Sequence, residues 1–245
     1  MSANRIAVYG HRGRFSSRIV SVLIASDAHI TVLYRPGSDI SNLPARVPKI
    51  EVDVLDQDAL VAALQNIDIV LSLVGDEGVS REFGFVSAIP RTNVKLFVPS
   101  DLGLRYGEDG MAIPLLKKKE QVQEATRQAG IPLTVVLIAN FAEFTLGSIA
   151  SEKYGKKPKI FQQSIEKVNE QFLDRLKSDM SALAPAWYYR KLWGTGELTS
   201  LLGSDIWDLR SYKKATLDDL IVEGKVGSYR DLSLVLPHLE EAMIH

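Results

Sequence analysis

Short apolar segments that alternate with helical patterns constrain the fold of this chain more than any other feature. The apolar segments are six or seven residues long and cover 5–10, 29–34, 49–54, 68–74, 93–98 and 133–138. Apolar residues at helical spacing cover 15–25, 58–64 and 114–129. Strands that alternate with helices across short loops pair in parallel through right-handed crossovers. The sequence therefore predicts an α/β fold with a doubly wound parallel Rossmann sheet.

The pattern changes after about Gly147. Ile165, Val168, Phe172 and Leu176 recur at spacings of three and four, which predicts one apolar helix face. All three tryptophans also lie in this last part of the chain. We therefore predict a dinucleotide-binding domain over 1–147 and a small, mainly helical C-terminal lobe over 148–245. We expect the lobe to pack on the sheet and to contact a substrate or a partner.

Composition argues against several classes of function. Lysine and arginine total 29 against 30 acidic residues, so no basic excess favours nucleic acid. The chain has no cysteine and only four scattered histidines, which predicts neither disulfides nor a metal site. Its apolar segments are too short to span a bilayer, and its N-terminus lacks the apolar core of a signal peptide. We expect a soluble cytoplasmic protein, monomeric or homodimeric, without membrane contact.

A glycine loop, Gly10-x-x-Gly13-x-x-Ser16, lies between the first predicted strand and the first predicted helix. A glycine at 10 permits the tight turn, and a glycine at 13 lets the backbone approach a pyrophosphate at the helix N-terminus. Ser16 replaces the third glycine of the usual fingerprint and weakens the match. The loop predicts a dinucleotide site; the alternative is an ordinary turn without a ligand.

The end of the second predicted strand indicates which dinucleotide binds. NAD sites usually place a carboxylate there to accept a hydrogen bond from the ribose 2′-hydroxyl, whereas this strand is followed by Arg35. A guanidinium suits a 2′-phosphate, and Arg12 in the glycine loop could hold the phosphate from the other side. The sequence therefore predicts NADPH rather than NADH. The alternative is that both arginines are ordinary solvated side chains.

Several stretches together resemble the NmrA-like and isoflavone-reductase-like group of atypical short-chain dehydrogenases. The resemblance covers about residues 5–147 through VYGHRG, VLYRPGS, VPSDLG, AGIPLT and NFAEF. Residues 151–221 resemble the distal lobe of fungal-type members. Family members carry further strands and a helix after the stretch NFAEFTLGS, whereas this chain passes from Ser148 almost directly into that lobe. The comparison therefore indicates an internal deletion after Ser148.

The resemblance implies further cofactor-binding residues. In the family, the carboxyl ends of the later strands contact the adenine, the ribose and the nicotinamide. The corresponding residues here, together with the aromatic residue after the glycine loop, are Phe15, Asp53, Val74, Gly75, Pro99, Ser100, Asn140 and Phe141.

The resemblance also nominates a catalytic lysine. The Tyr-x-x-x-Lys pair of ordinary short-chain dehydrogenases has no convincing match in this sequence. Reductases of the isoflavone type instead use one lysine on the helix before the Gly-Ile-Pro segment at 130–132, and the family register falls on Lys119. Lys117 and Lys118 are its neighbours, and a solvated lysine cluster is the alternative. Weaker substrate-side candidates follow the fifth predicted strand: Asp101, Arg105 and Tyr106.

Two functions are compatible with these residues. The first is an NADPH-dependent reductase of a small aromatic or quinone-like substrate, with Lys119 handling the proton. The second is a non-catalytic NAD(P) sensor that binds a regulatory protein partner, as NmrA itself does. The apparent deletion favours the second function, or a truncated product with little function, and the fold alone does not choose among them.

Overall fold

A parallel sheet of five strands forms the centre of the protein in the computed structural model, which describes residues 4–138, 163–178 and 184–197. The strands are β1 (Arg5–Tyr9), β2 (His29–Tyr34), β3 (Lys49–Glu51), β4 (Ile69–Ser72) and β5 (Leu96–Val98). Their order in the sheet is β3-β2-β1-β4-β5, and every pairing is parallel. The predicted α/β Rossmann fold is confirmed.

Helices connect the strands and cover the sheet. They are α1 (Arg14–Ala25), α2 (Gln57–Leu64), α3 (Glu82–Ala88), α4 (Glu108–Met111), α5 (Pro114–Gln128), α6 (Ile165–Lys177) and α7 (Ala184–Thr195). Asp56 caps α2 by accepting a hydrogen bond from the Ala59 amide at 3.1 Å. Gly130 follows α5 with a φ of 67°, the left-handed conformation that commonly ends a helix.

Both faces of the sheet are buried because helices lie on each side. Along β1, Ala7 and Tyr9 join the core under α2, α3 and α5, whereas Val8 joins the core under α1. Successive side chains of a strand point to opposite faces, so a strand such as β1, which is apolar from Ile6 onward, requires cover on both sides.

The strand order reverses beside β1, which pairs with β2 on one side and with β4 on the other. The chain runs outward from β1 through β2 to β3, then crosses back to place β4 against the opposite edge of β1. Loops leave the carboxyl ends of β1 and β4 in opposite directions and open a crevice, where ligands of such sheets bind.

The sixth predicted strand, 133–138, is wrong over most of its length. Leu133 alone forms a parallel bridge to Phe97, with the Thr134 amide donating to the Phe97 carbonyl at 3.1 Å. The next bond of a parallel ladder would come from the amide of residue 99, which is Pro99 and has no N–H. The ladder therefore stops there, and 134–138 adopt no regular secondary structure.

The helix predicted around Ile165 is confirmed as α6, with Val168 and Phe172 buried against α7. The rings of Phe172 and Tyr188 lie 6.1 Å apart between their centroids. The Gly107 amide donates to the Tyr188 hydroxyl at 3.1 Å and ties α7 to the loop before α4. Both α6 and α7 belong to the same compact unit as the sheet. No helix within the described ranges is long and apolar enough to cross a membrane.

Candidate cofactor and active site

The glycine loop lies directly against the end of β4. Gly10 has a φ of 93°, and a Cβ at this position would lie 2.7 Å from the Leu73 carbonyl carbon and the Val74 nitrogen. Backbone atoms cannot yield to a methyl group as a flexible side chain can, so only glycine fits here. The predicted turn at Gly10 thus brings the ends of β1 and β4 into contact at the crevice.

Ser16 serves the packing role that a third glycine usually has. Its side chain is buried, and its hydroxyl donates to the Leu73 carbonyl at 2.8 Å, which fastens α1 to the end of β4. A Cβ on Gly13 would lie 2.7 Å from the Ser16 oxygen, so a larger residue at 13 would have to displace the hydroxyl from its bond to Leu73. The first turn of α1 carries no acidic residue, which suits an anion at the helix N-terminus.

Two exposed arginines follow the neighbouring strands β1 and β2. Arg35 comes directly after β2, and Arg12 lies in the glycine loop after β1. Burial raises the pKa of the Tyr9 hydroxyl at the end of β1, and the charges of Arg81 and Arg35 oppose that rise. Arg35 and Arg81 therefore lie near the end of β1, together with the carboxylates of Asp53 and Glu82.

Asp53 lies on the same edge of the sheet, beyond β3. Its carboxylate accepts a hydrogen bond from the Arg81 guanidinium at 3.1 Å and another from the Leu55 amide at 3.1 Å. Arg81 was not predicted as a site residue, because it lies in a helical turn that no apolar periodicity marks. The ion pair fixes Asp53 and brings a third arginine toward the crevice.

The ends of β4 and β5 are joined through Ser100. Its hydroxyl donates to the Val74 carbonyl at 2.6 Å, and its amide donates to Glu82 Oε1 at 2.8 Å. Pro99 before it is buried, and Gly75 caps the helical turn that leads to α3. The four residues that the family resemblance implies at these two strand ends therefore lie close together.

Glu82 is a site residue that the sequence analysis missed. It begins α3 and is only 1% exposed. Burial raises the pKa of Glu82 to about 7, despite the opposing effects of the Ser72 hydroxyl, the Ser100 amide and the Lys119 charge. An isolated glutamate before a short helix gives no sequence signal, since its burial depends on strands far along the chain.

Lys119 lies beside a second buried carboxylate. Its Nζ is 3.8 Å from Asp101 Oδ1, and its side chain is 17% exposed. Burial raises the pKa of Asp101, and the positive charge of Lys119 opposes that rise. Lys117 on the same helix is exposed. The structure thus distinguishes Lys119 from its neighbours by its ion pair.

Asp101 gathers the weaker candidates that follow β5. The Tyr106 hydroxyl donates to Asp101 Oδ1 at 2.5 Å, and Gln123 Nε2 donates to Asp101 Oδ2 at 2.6 Å. Burial and the Asp101 charge raise the pKa of Tyr106 well above its usual range. Arg105 is exposed and takes no part in this cluster.

The remaining predicted cofactor residues are Phe15, Asn140 and Phe141. Phe15 lies half-buried in the first turn of α1. Asn140 and Phe141 lie outside the described residues. A groove of about 590 Å³ lies at the opposite end of the sheet, between residues such as Ala28, Arg46 and Ala62.

A family model for the NmrA-like family matches residues 2–169. The chain belongs to the NmrA-like family. The match covers the whole sheet and both buried carboxylates. The fungal-type character of the distal lobe stays a prediction.

Curated relatives of this NmrA-like chain include plant reductases. Isoflavone reductase homolog IRL of Zea mays is 31% identical over 148 residues, which cover 59% of this chain and 46% of the maize protein. Pinoresinol reductase 1 of Arabidopsis thaliana is 28% identical over 261 residues, which cover 98% and 73% of the two chains. The NmrA-like chain spans about half the length of most of the curated relatives it matches.

Solved structures agree with the fold. The structure of AtPrR2 with NADP+ and (+)pinoresinol is 27% identical with a TM-score of 0.55 and covers 66% of this chain and 58% of its own. The binary complex of leucoanthocyanidin reductase and NADPH from Vitis vinifera has a TM-score of 0.68 at 14% identity, over 91% and 100% of the two chains. At that identity the second likeness concerns the fold alone.

Proposed function

We propose that this chain binds NADPH and reduces a small aromatic or quinone-like substrate, with Lys119 as the residue that handles the proton. The observation that carries the proposal is the Lys119–Asp101 ion pair beside the Ser100 turn. The ion pair lies on the same edge of the sheet as the glycine loop, so cofactor and proton source would meet in one crevice. The relatives named for isoflavone and pinoresinol reduction support an aromatic substrate.

The residues at the crevice fit a dinucleotide phosphate. Gly10 lets the loop lie against the backbone of Leu73 and Val74, and a glycine at 13 would let the backbone approach a pyrophosphate. Arg35 and Arg12 would hold the 2′-phosphate, while Asp53 lies toward the adenine end of the edge. When bound, NADPH supplies a hydride. The chain itself then has to bind, orient and supply the proton.

Lys119 is suited to donate that proton. The Asp101 carboxylate attracts its ammonium group from 3.8 Å, and the ammonium carries a proton to give. A substrate oxygen that gains negative charge on reduction would take the proton from Nζ as a general acid delivers it. The Glu82–Ser100 hydrogen bond would keep the nearby turn in place during the step.

The organisation of the chain belongs to the same proposal. Residues 1–147 would bind the dinucleotide, and residues 148–245 would form the wall that meets the substrate or a partner. Asn140 and Phe141 would border the nicotinamide. The hydrogen bond of Tyr188 to Gly107 supports a lobe that reaches toward the loop after β5.

A dinucleotide-sensing protein without catalysis is the second candidate. The internal deletion after Ser148 favours it, since the family carries strands there that would complete the sheet. A sensor would retain the glycine loop and the arginines and would use the lobe to bind a regulatory protein. It differs from a reductase in one measurable respect, namely turnover.

Calorimetric titration with NADPH and NADH, followed by an assay of NADPH oxidation, tests the proposal. We expect tighter binding of NADPH, and Arg35→Ala should weaken NADPH about tenfold while leaving NADH unchanged. Arg46→Ala, which removes an exposed arginine at the far end of the sheet, is the matched control. Equal losses for both cofactors would contradict a 2′-phosphate site.

The oxidation assay uses pinoresinol, an isoflavone and a naphthoquinone as acceptors. A reductase should consume NADPH with at least one of them, and Lys119→Ala should reduce kcat by about a hundredfold without changing NADPH affinity. Lys117→Ala removes an exposed lysine two positions away and should behave as the wild type. Binding of NADPH without any turnover would favour the sensor.

A further inference from the structure

Two side chains of α5 converge on one carboxylate. Lys119 and Gln123 are four residues apart, so they lie one above the other on the same face of the helix. Both approach Asp101, which comes two residues after Pro99 at the end of β5. The helix and the strand end are thereby joined through a single acidic side chain.

The Asp101 carboxylate is held on both oxygens. Oδ1 accepts from the Tyr106 hydroxyl and Oδ2 from the Gln123 amide, and the residue is 1% exposed. Gln123 is itself fixed, since its Oε1 accepts a hydrogen bond from Arg127 at 3.1 Å. A buried charge that is fixed this firmly cannot turn to follow a mobile lysine. The lysine must instead come to the carboxylate.

The distance between Lys119 and Asp101 has a chemical consequence. At 3.8 Å the ammonium is attracted by the carboxylate, yet the separation exceeds that of a hydrogen bond. Among the described residues, no hydrogen bond occupies Nζ of Lys119. Asp101 therefore holds the charge of the lysine without using up the protons that a substrate oxygen would require.

Other titratable groups surround this pair. Glu82 of α3 and Glu120 of α5 add negative charge near Asp101 and Lys119, and Tyr189 of α7 brings a phenol toward Asp101. The Lys119 charge opposes the carboxyl pKa rise at both Glu82 and Asp101. Lys119 is thus the cation that two buried carboxylates share.

We propose that Asp101, clamped by Tyr106 and Gln123, is the positioning residue that holds the Lys119 ammonium group in place with its protons directed to the substrate. The proposal deepens the proposed reductase function and rests on it for the role of Lys119. The contact itself, however, is measurable without any turnover. Its tests are therefore chosen to give an answer even where no substrate is found.

The first test measures the reactivity of Lys119 toward acetic anhydride as a function of pH, with labelled peptides quantified by mass spectrometry. Asp101→Asn keeps the shape and removes the negative partner of the ion pair, so the released Lys119 amine should become acylated faster. Asp58→Asn removes a carboxylate from the exposed Arg91 pair and should change nothing at Lys119. Unchanged Lys119 reactivity in Asp101→Asn would overturn the proposal.

The second test applies even where a variant of the buried Asp101 fails to fold. Lys119→Met removes the shared cation from a partly exposed position, and melting temperatures are compared at pH 5 and pH 8. The loss relative to the wild type should be larger at pH 8, where both carboxylates are ionised and lack their counter-ion. Lys118→Met is the control, because no carboxylate of the described residues pairs with Lys118. A loss of equal size at both pH values would indicate packing alone and would overturn the proposal.

Turnover separates this proposal from the proposed function. With an acceptor in hand, Asp101→Asn should lower kcat about tenfold and leave the affinity for NADPH unchanged, and Asp101→Glu should restore part of the rate. If the wild type binds NADPH without any turnover, the reductase fails while the acylation and melting results still decide the role of Asp101. If the wild type reduces an acceptor but Asp101→Asn changes neither its turnover nor the reactivity of Lys119, the reductase function stands and the positioning role of Asp101 fails.

Discussion

Buried acidic side chains lie at both ends of the parallel sheet, and their environments differ. At the amino end, Asp68 accepts hydrogen bonds from the backbone and the guanidinium of Arg5, each at 2.9 Å, and pairs with Lys95 at 2.9 Å. These partners hold the pKa of Asp68 far below its usual range. At the carboxyl end, Glu82 has one backbone donor and no ion pair within 4 Å in the described part, and burial raises its pKa to about 7.

This difference in environment indicates a structural role for the acidic side chain at the amino end and a functional role for those at the carboxyl end. Charge partners at the amino end offset the cost of burying a carboxylate, so Asp68 supports the folded state. The carboxyl end keeps carboxylates that burial disfavours, together with a single shared lysine. Shifted acids that gather at a crevice are typical of catalytic and binding sites, whose residues are retained at some expense of stability.

The largest expected effect is a loss of stability on adding a side chain at Gly10, at the carboxyl end of the sheet. Gly10→Ala places a methyl group 2.7 Å from the β4 backbone at a positive φ, so strain and overpacking together should cost about 4 kcal/mol. Gly37→Ala is the matched control, because its φ is 74° and nothing lies within 4 Å of the added methyl group. It should lose only about 1 kcal/mol from backbone strain. Urea unfolding measures both values, and equal losses would show that closeness to β4 is unimportant.

The next largest effect should come from Glu82. Its pKa is raised above the unfolded value of 4.5, so its ionisation destabilises the fold as the pH rises from 4.5 to about 7 and adds nothing further above that range. Glu82→Gln keeps an acceptor for the Ser100 amide and cannot ionise. The variant should match the wild type near pH 4 and exceed its free energy of unfolding by about 3 kcal/mol at pH 8.

Denaturant unfolding of the Glu82 variant at several pH values tests this sign directly. Asp58→Asn, which changes an exposed carboxylate of the same charge, should give no such divergence. If Glu82→Gln became less stable than the wild type as the pH rose, Glu82 would be stabilised in the fold as an anion. The contrast between the two ends of the sheet would then disappear.

The position and the tight turn of the glycine loop were predictable from the sequence because they depend on the backbone. Gly10 and Gly13 are adjacent to a strand that periodicity identifies, and their requirement for a missing Cβ is visible in the residue type itself. Arg35 was predictable for a similar reason, since it follows a strand directly. Local patterns suffice when the site consists of a turn between two neighbouring elements.

The acidic cluster was not predictable in the same way. Asp101 was expected only as a weak substrate-side candidate, and nothing in the sequence joined it to Gln123 or to Glu82. These contacts depend on the packing of α3 and α5 against the ends of β4 and β5, which no local spacing encodes. The prediction of a sixth strand was wrong for a related reason. An apolar run predicts a strand, but a ladder forms only if the neighbouring strand can continue it, and here Pro99 after β5 interrupts the ladder.

The smallest expected effect belongs to the amino end. Asp68→Asn removes a charge whose pKa is lowered in the folded state, so the stabilisation is fully present above pH 4 and is lost as the pH falls below that value. The variant should therefore melt below the wild type at pH 7, and the two melting temperatures should converge in acid. The effect should be modest and weaken in high salt, because Arg5 and Lys95 are largely exposed. NADPH affinity should not change, since Asp68 lies at the end of the sheet opposite the glycine loop. The contrast between the two ends of the sheet would be contradicted if the difference in melting temperature widened in acid, or if Asp68→Asn lost NADPH binding.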